Sequence, residues 1–233
     1  DPVWHGDLVS LYVRDDAIET VPFRVRPRGE VKRQLLARLR EIHRLHLGGE
    51  RFDAVMFCWE SSTLISAFAD TLDPTQRDRY QAIARSWGET SESWRLTHAI
   101  IVALEQLVDD GLWVVTIAGN SGPRWVNTYT FAEGVIVVGA SESDPDREWA
   151  VSNPLVTTHA QSRYAVRLVS ETSRPVFGYD IDEDGIADIP LQRGSSHYRR
   201  YGLPRETHRV LKGTSFAAPT ALKRMVAARS PRP

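Results

Sequence analysis

The segment Gly213-Thr214-Ser215-Phe216-Ala217-Ala218-Pro219 sets one hydroxyl among small residues at the expected start of a helix. A serine placed there has backbone N–H groups and the positive end of the helix dipole beside it, so negative charge developing on a bound carbonyl is stabilised. The plain alternative is an ordinary Ser or Thr helix cap, and on spacing alone the two readings stand level. A second segment, Thr116-Ile117-Ala118-Gly119-Asn120-Ser121-Gly122, puts an amide at the carboxyl end of an apolar strand, where the sites of α/β sheets gather. Asn120 can donate from its side-chain amide, and Gly119 lets a substrate backbone come close; standing alone, Gly-Asn-Ser-Gly reads first as a turn. Near the chain start, His5-Gly6 supplies an imidazole suited to taking and returning a proton. As one of seven His, it is weak evidence without the other two segments.

The elements that must position these residues follow from periodicity. Glu19 to Val25 is short and β-prone, and residues 31 to 47 place Val31, Leu35, Leu36, Leu39, Ile42 and Leu45 at helical spacing before Gly48-Gly49. Asp53 to Trp59 is a compact apolar run of the kind buried on both faces of a parallel sheet, and Pro74 to Trp87 reads as an exposed helix. From Ser93 to Asp110 an amphipathic helix ends at Gly111 and leads into the strand Leu112 to Ala118. A further strand spans Gly134 to Gly139. This alternation predicts a layered α/β domain with a mainly parallel central sheet flanked by helices. From about residue 141 to 212 the chain turns polar and Pro-rich, predicting loops and short antiparallel pieces. The last element, Thr214 to Ala228, reads as a helix with Pro219 in its first turns, where a missing amide hydrogen is tolerated.

Composition narrows the function classes. The 233 residues fit a single domain with a full core. Lys and Arg number 29 against 30 Asp and Glu, leaving a formal charge of -1, which removes the general electrostatic motive for binding nucleic acid or an acidic membrane. No stretch reaches the roughly 20 apolar residues of a membrane helix. A single cysteine, Cys58, excludes an internal disulfide and an all-cysteine zinc site. The chain opens at Asp1-Pro2-Val3-Trp4-His5 with no initiating Met and no signal-like segment, which reads as a trimmed amino terminus.

Together the three segments resemble the subtilisin-like serine proteases. Gly213-Thr-Ser-Phe-Ala-Ala-Pro219 matches the family's nucleophile box almost letter for letter, Ala118-Gly-Asn-Ser-Gly122 its oxyanion-asparagine box, and His5-Gly6 falls where the His-Gly box belongs, in the right order. Ala54-Val55-Met56 to Ser61 looks like the substrate-flanking strand, and Val135 to Ala140 like the strand after the oxyanion loop. The resemblance implies a three-layer subtilisin-like fold over residues 1–233 and serine endopeptidase activity on a polypeptide substrate, with no organic cofactor and the chain working as a monomer. Secretion is favoured by the resemblance alone. Ser215 would be the nucleophile and His5 its acid/base. The Asn120 amide and the Ser215 N–H would form the oxyanion hole, and Trp59, Glu60, Ser61, Ala118 and Gly119 would line the substrate. An α/β-hydrolase needs Gly-x-Ser-x-Gly, and no such pentapeptide occurs.

The pattern breaks at the third catalytic group. The family's Asp lies on a strand well upstream of the His, whereas only four residues precede His5. Neither Asp1 nor Asp7 is suited to the role, so the expectation is a domain incomplete at its amino terminus, with a catalytically inactive binding or regulatory pseudoprotease as the alternative. Asp7 stands where the family carries Thr, and Trp59-Glu60-Ser61 replaces its small polar, apolar, Gly run. Glu60 either favours a basic substrate side chain or simply faces solvent, the second being the plainer reading. Independently, Asp180, Asp182, Asp184 and Asp188 stand at positions 1, 3, 5 and 9 of a loop with Gly185 at 6, the spacing of a calcium loop, although position 12 is Leu191. Subtilases often bind calcium, but not generally through this motif; the plain alternative is an acidic surface turn. A calcium-stabilised adhesion module is the third functional reading.

Overall fold

The computed structural model describes residues 5–26, 29–141, 153–170, 177–181, 185–191 and 208–229. Four parallel strands form the centre: β1 (Ala54–Phe57), β3 (Trp113–Ile117), β5 (Ile136–Ala140) and β6 (Thr158–Ala160), hydrogen-bonded in that order. Between β1 and β3 run the short strand β2 (Ser62–Leu64) and the helices α3 (Arg77–Gly88) and α4 (Glu92–Asp109). The short strand β4 (Trp125–Asn127) follows β3 and pairs antiparallel with β2. The mixed α/β class and the parallel sheet flanked by helices agree with the periodicity of the sequence.

Both faces of the sheet are covered, because successive residues of a strand point to opposite sides. Val114 and Val137 join a core with Leu35, Leu36, Leu39 and Ile42 of α2 (Val31–Leu47) and Ile100, Leu104 and Leu107 of α4. Their neighbours Val115, Ile117 and Val138 face the other way, onto Val13 of α1 (His5–Val13) and Ala217, Ala218, Ala221 and Leu222 of α5 (Thr214–Arg229). Ile100, Leu104 and Leu107 have no exposed surface, and burying each such side chain contributes about 1.5–3 kcal/mol. The alanines of α5 add little area but let that helix lie close to the sheet. Among the described residues no helix is long and apolar enough to cross a membrane.

Three expectations change. Glu19 to Val25 is not a paired strand. Phe23 and Val25 pack against the α2/α4 core, Phe23 meeting Phe52 edge-on at 6.1 Å, while Arg38 Nε donates to the Arg24 carbonyl and the Arg26 N–H to Gln34 Oε1. The segment's polar groups are thus met by α2, and Pro22 removes a ladder donor. The helix over 77–88 is not merely exposed: Tyr80 and Ala84 are buried, and Tyr80 stacks with Phe68 and Phe131. Pro219 is the sixth residue of α5, beyond the first turn, with consequences for the site below.

The polar stretch after residue 141 contains antiparallel structure as expected, but more of it. β7 (Arg163–Ser170), β8 (Phe177–Asp180), β9 (Ile189–Leu191) and β10 (His208–Lys212) form a second sheet in the order β10-β7-β8-β9. β10 pairs with β7 from His208 opposite Arg167 to Lys212 opposite Arg163. Its end leads through Gly213, whose N–H donates to the Ser162 carbonyl at 3.0 Å, into α5.

Candidate functional site

The first residues of α5 meet the loop after β3. A helix start leaves its first N–H groups without intrahelical acceptors, and here the Thr214 N–H donates to Oδ1 of Asn120 at 3.0 Å. The Thr214 hydroxyl lies 3.1 Å from the Gly119 carbonyl and 3.3 Å from the same Oδ1. A backbone N–H can only donate, so the Asn120 oxygen must face Thr214 and its Nδ2 amino group must point the other way. The Asn and Ser boxes, 94 residues apart, therefore share one corner. Ser215 sits there nearly buried, at 3% exposure, with its own N–H in the unpaired first turn of the helix.

Pro219 cannot donate to the carbonyl four residues back, which is that of Ser215. The Cys58 thiol, just beyond β1, approaches this carbonyl at 3.8 Å. Burial pushes the thiol up to about 12, which keeps the S–H donor in place at neutral pH.

His5 opens α1, whose packing on α5 brings the imidazole edge-on to Phe216 at 5.4 Å; Tyr12 meets the same ring at 5.5 Å. The structure thus brings the imidazole next to the residue that follows Ser215. Among the described residues no hydrogen bond joins His5 to the Ser215 hydroxyl, and no carboxylate pairs with His5. Asp1 lies outside the described residues, as does the side chain of Asp7.

His5 is exposed overall, but its imidazole is desolvated where it lies against Phe216, which holds the pKa below its ordinary 6.5, so the neutral, proton-accepting imidazole persists into mildly acidic solution. The unfolded chain then binds more protons than the folded one just below pH 6.5. The stability that His5 contributes is complete above that pH and is lost as pH falls toward the folded value. An NMR titration of His5 in this chain should show a midpoint below 6.5; a midpoint above it would mean that a carboxylate faces the ring.

Trp59, Glu60 and Ser61 follow β1. The Trp59 side chain is exposed, whereas Glu60 does not simply face solvent: Asn120 N–H donates to its Oε2 at 2.7 Å and Ser121 Oγ to its Oε1 at 2.8 Å. Gly119 has φ +107, and a Cβ there would lie 2.8 Å from Glu60 Oε1, so its glycine is required both by conformation and by the carboxylate's approach. Ala118 is buried, its N–H donating to the Val138 carbonyl.

Sequence reasoning passed over Asn127, which joins these pieces. Its Nδ2 donates to the carbonyls of Trp59 and Ile117 at 3.0 and 2.9 Å, and its Oδ1 accepts from Ser61 N–H at 3.0 Å. One buried carboxamide therefore ties the ends of β1 and β3 at fixed spacing, each bond contributing about 0.5–1.5 kcal/mol. The available signal was an Asn starting the Thr-rich turn Thr128–Phe131, a usual place for side chains that cap their own backbone.

Of the acidic loop, Asp180 ends β8 with no exposed surface. Its Oδ2 accepts from Gly185 N–H at 2.9 Å, while Oδ1 is buried with no hydrogen-bond partner among the described residues. Asp188 accepts from Ile181 N–H at 2.8 Å. Asp182 and Asp184 lie outside the described residues, and no group of three or more metal-ligating side chains is found among the described ones.

At this level the molecule is an α/β protein whose parallel sheet and last helix bring hydroxyl, carboxamide and imidazole residues to one end. No family model and no curated protein matches the chain.

Proposed function

We propose that this chain is a subtilisin-like serine endopeptidase domain, with the resemblance of its three boxes supplying the reaction. The observation that carries the reading is the bond from Thr214 N–H to Asn120 Oδ1, which brings this carboxamide to the helix start that holds the residue the nucleophile box designates. Ser215 Oγ attacks the peptide carbonyl carbon as His5 accepts its proton, and the carbonyl oxygen gathers negative charge toward Asn120 Nδ2 and the Ser215 N–H. His5 then returns the proton to the leaving amine, and water repeats the sequence to release the acid. Among the described residues no carboxylate pairs with His5, and loss of such an orienting group costs this mechanism about 10⁴ in turnover.

A fluorophosphonate probe on the full-length protein tests the reading. Covalent labelling at Ser215 supports it, and a folded protein that stays unlabelled sinks it. Such silence would favour the pseudoprotease reading, which draws on the near burial of Ser215 and the lack of a hydrogen bond to His5 among the described residues.

A structural calcium ion at the Asp180–Asp188 segment draws its support from Asp180 Oδ1, buried with no hydrogen-bond partner among the described residues and an oxygen of the kind that ion takes. Calcium at about 100 times its dissociation constant would add about 2.7 kcal/mol, roughly 5–10 °C in melting temperature for a chain of this size. Melting in calcium and in chelator should differ by that much and should converge in Asp180→Asn. Equal melting of the unaltered protein in the two conditions would leave an acidic turn.

A further inference from the structure

We propose that Glu60 is the positioning residue of the oxyanion loop, an inference that rests on the peptidase reading for its catalytic consequence and on geometry for the rest. Glu60 lies just past β1, 60 residues from Asn120, yet its two oxygens accept from Asn120 N–H at 2.7 Å and Ser121 Oγ at 2.8 Å. Ser62 Oγ also donates to Oε1 and lies 2.6 Å from Ser121 Oγ. Gly119 leaves the space that the carboxylate fills.

An ionised carboxylate only accepts, and its bonds to N–H and O–H are stronger than neutral ones. It therefore fixes which way the Asn120 backbone faces, while Thr214 fixes the side chain from the opposite side. With Asn120 held at both ends, its Nδ2 amino group is the hydrogen-bond donor left unpaired among the described residues. The same bonds engage both oxygens of Glu60, so the carboxylate orients the loop.

The test compares Glu60→Gln with the unaltered full-length protein, alone and in an Asn120→Ala background. The amide is isosteric but replaces one acceptor oxygen by a donor. A misaimed oxyanion donor should lower kcat about 10–100-fold with KM within about twofold, a fraction of the loss from removing that donor outright. The same substitution should cost nothing further once Asn120 is Ala, because a residue acting only through Asn120 is not additive with it. Unchanged kcat, or an equal loss in both backgrounds, overturns the proposal.

Amide exchange gives a readout that needs no turnover: Asn120 N–H should exchange at least about tenfold faster in Glu60→Gln while the amides of β3 and α5 keep their protection. Unchanged Asn120 exchange also overturns the clamp. A wild-type protein that is catalytically silent, with exchange responding as expected, sinks the peptidase reading and leaves the clamp standing. Should Glu60→Gln misfold, Ser121→Ala removes one donor to the carboxylate and should move kcat and exchange in the same directions by less; no movement in either counts against the clamp.

Discussion

Replacing Ser215 with Ala should cut peptide turnover by the full-length protein about 10⁶-fold, the order that loss of the nucleophile costs subtilisin itself. The substitution removes one oxygen from a nearly buried position beside Phe216, Ala217 and Ala218, so the melting temperature should hold. Among the described residues, neither the adjacent Thr214 nor Cys58 is placed to take over. The Thr214 hydroxyl is occupied by the Gly119 carbonyl and Asn120 Oδ1. The Cys58 thiol faces the Ser215 backbone and is held protonated by burial. Kinetics on a peptide substrate checks this, and a variant within tenfold of the unaltered protein would show that the hydroxyl is not the nucleophile.

Replacing Asn120 with Ala should lower kcat about 10²–10³-fold with little change in KM, a magnitude measured for this kind of donor in subtilisin. On the peptidase reading the reason lies in when the bond matters: the amino group would meet a carbonyl oxygen whose charge grows only as the tetrahedral intermediate forms. Asn120→Asp separates loss of the donor from loss of position, because it keeps an oxygen for the Thr214 N–H while replacing the donor with a negatively charged acceptor that opposes an oxyanion. Its kcat should fall at least as far while the melting temperature falls less than in the Ala variant. A rise in KM at constant kcat would make Asn120 a substrate-binding group alone.

Much of the frame was legible because its elements are long and regular. The helical spacing over 31–47 coincides with α2, and the helix read over 93–110 is α4 to within one residue at each end. The apolar runs that became β1, β3 and β5 are buried on both faces, which is why they lack alternation. β6 escaped notice because three residues, Thr158–Ala160, carry no period. Glu19 to Val25 has strand propensity, but pairing depends on a neighbour that propensity does not describe.

At the site, chemistry-bearing residues announced themselves through unusual local composition: small residues around Ser215, glycines around Asn120. The residues that hold them did not. Glu60 acts across 60 residues and Asn127 across 66 to 68, and each looks like an ordinary polar side chain until the ends of β1 and β3 are side by side. Thr214 reads as a cap in sequence; in space its N–H sets the rotamer of the oxyanion amide.

Only Gly213 separates β10 from α5, and its N–H is anchored to Ser162. The Ser215 hydroxyl is therefore carried one residue beyond a sheet, and with so little of its surface showing, a polypeptide would reach it on the peptidase reading only if a neighbouring element moved. The element packed on that helix start is α1, whose His5 ring lies edge-on to Phe216. On the peptidase reading, how tightly the first helix grips the last would bear on the entry of substrate.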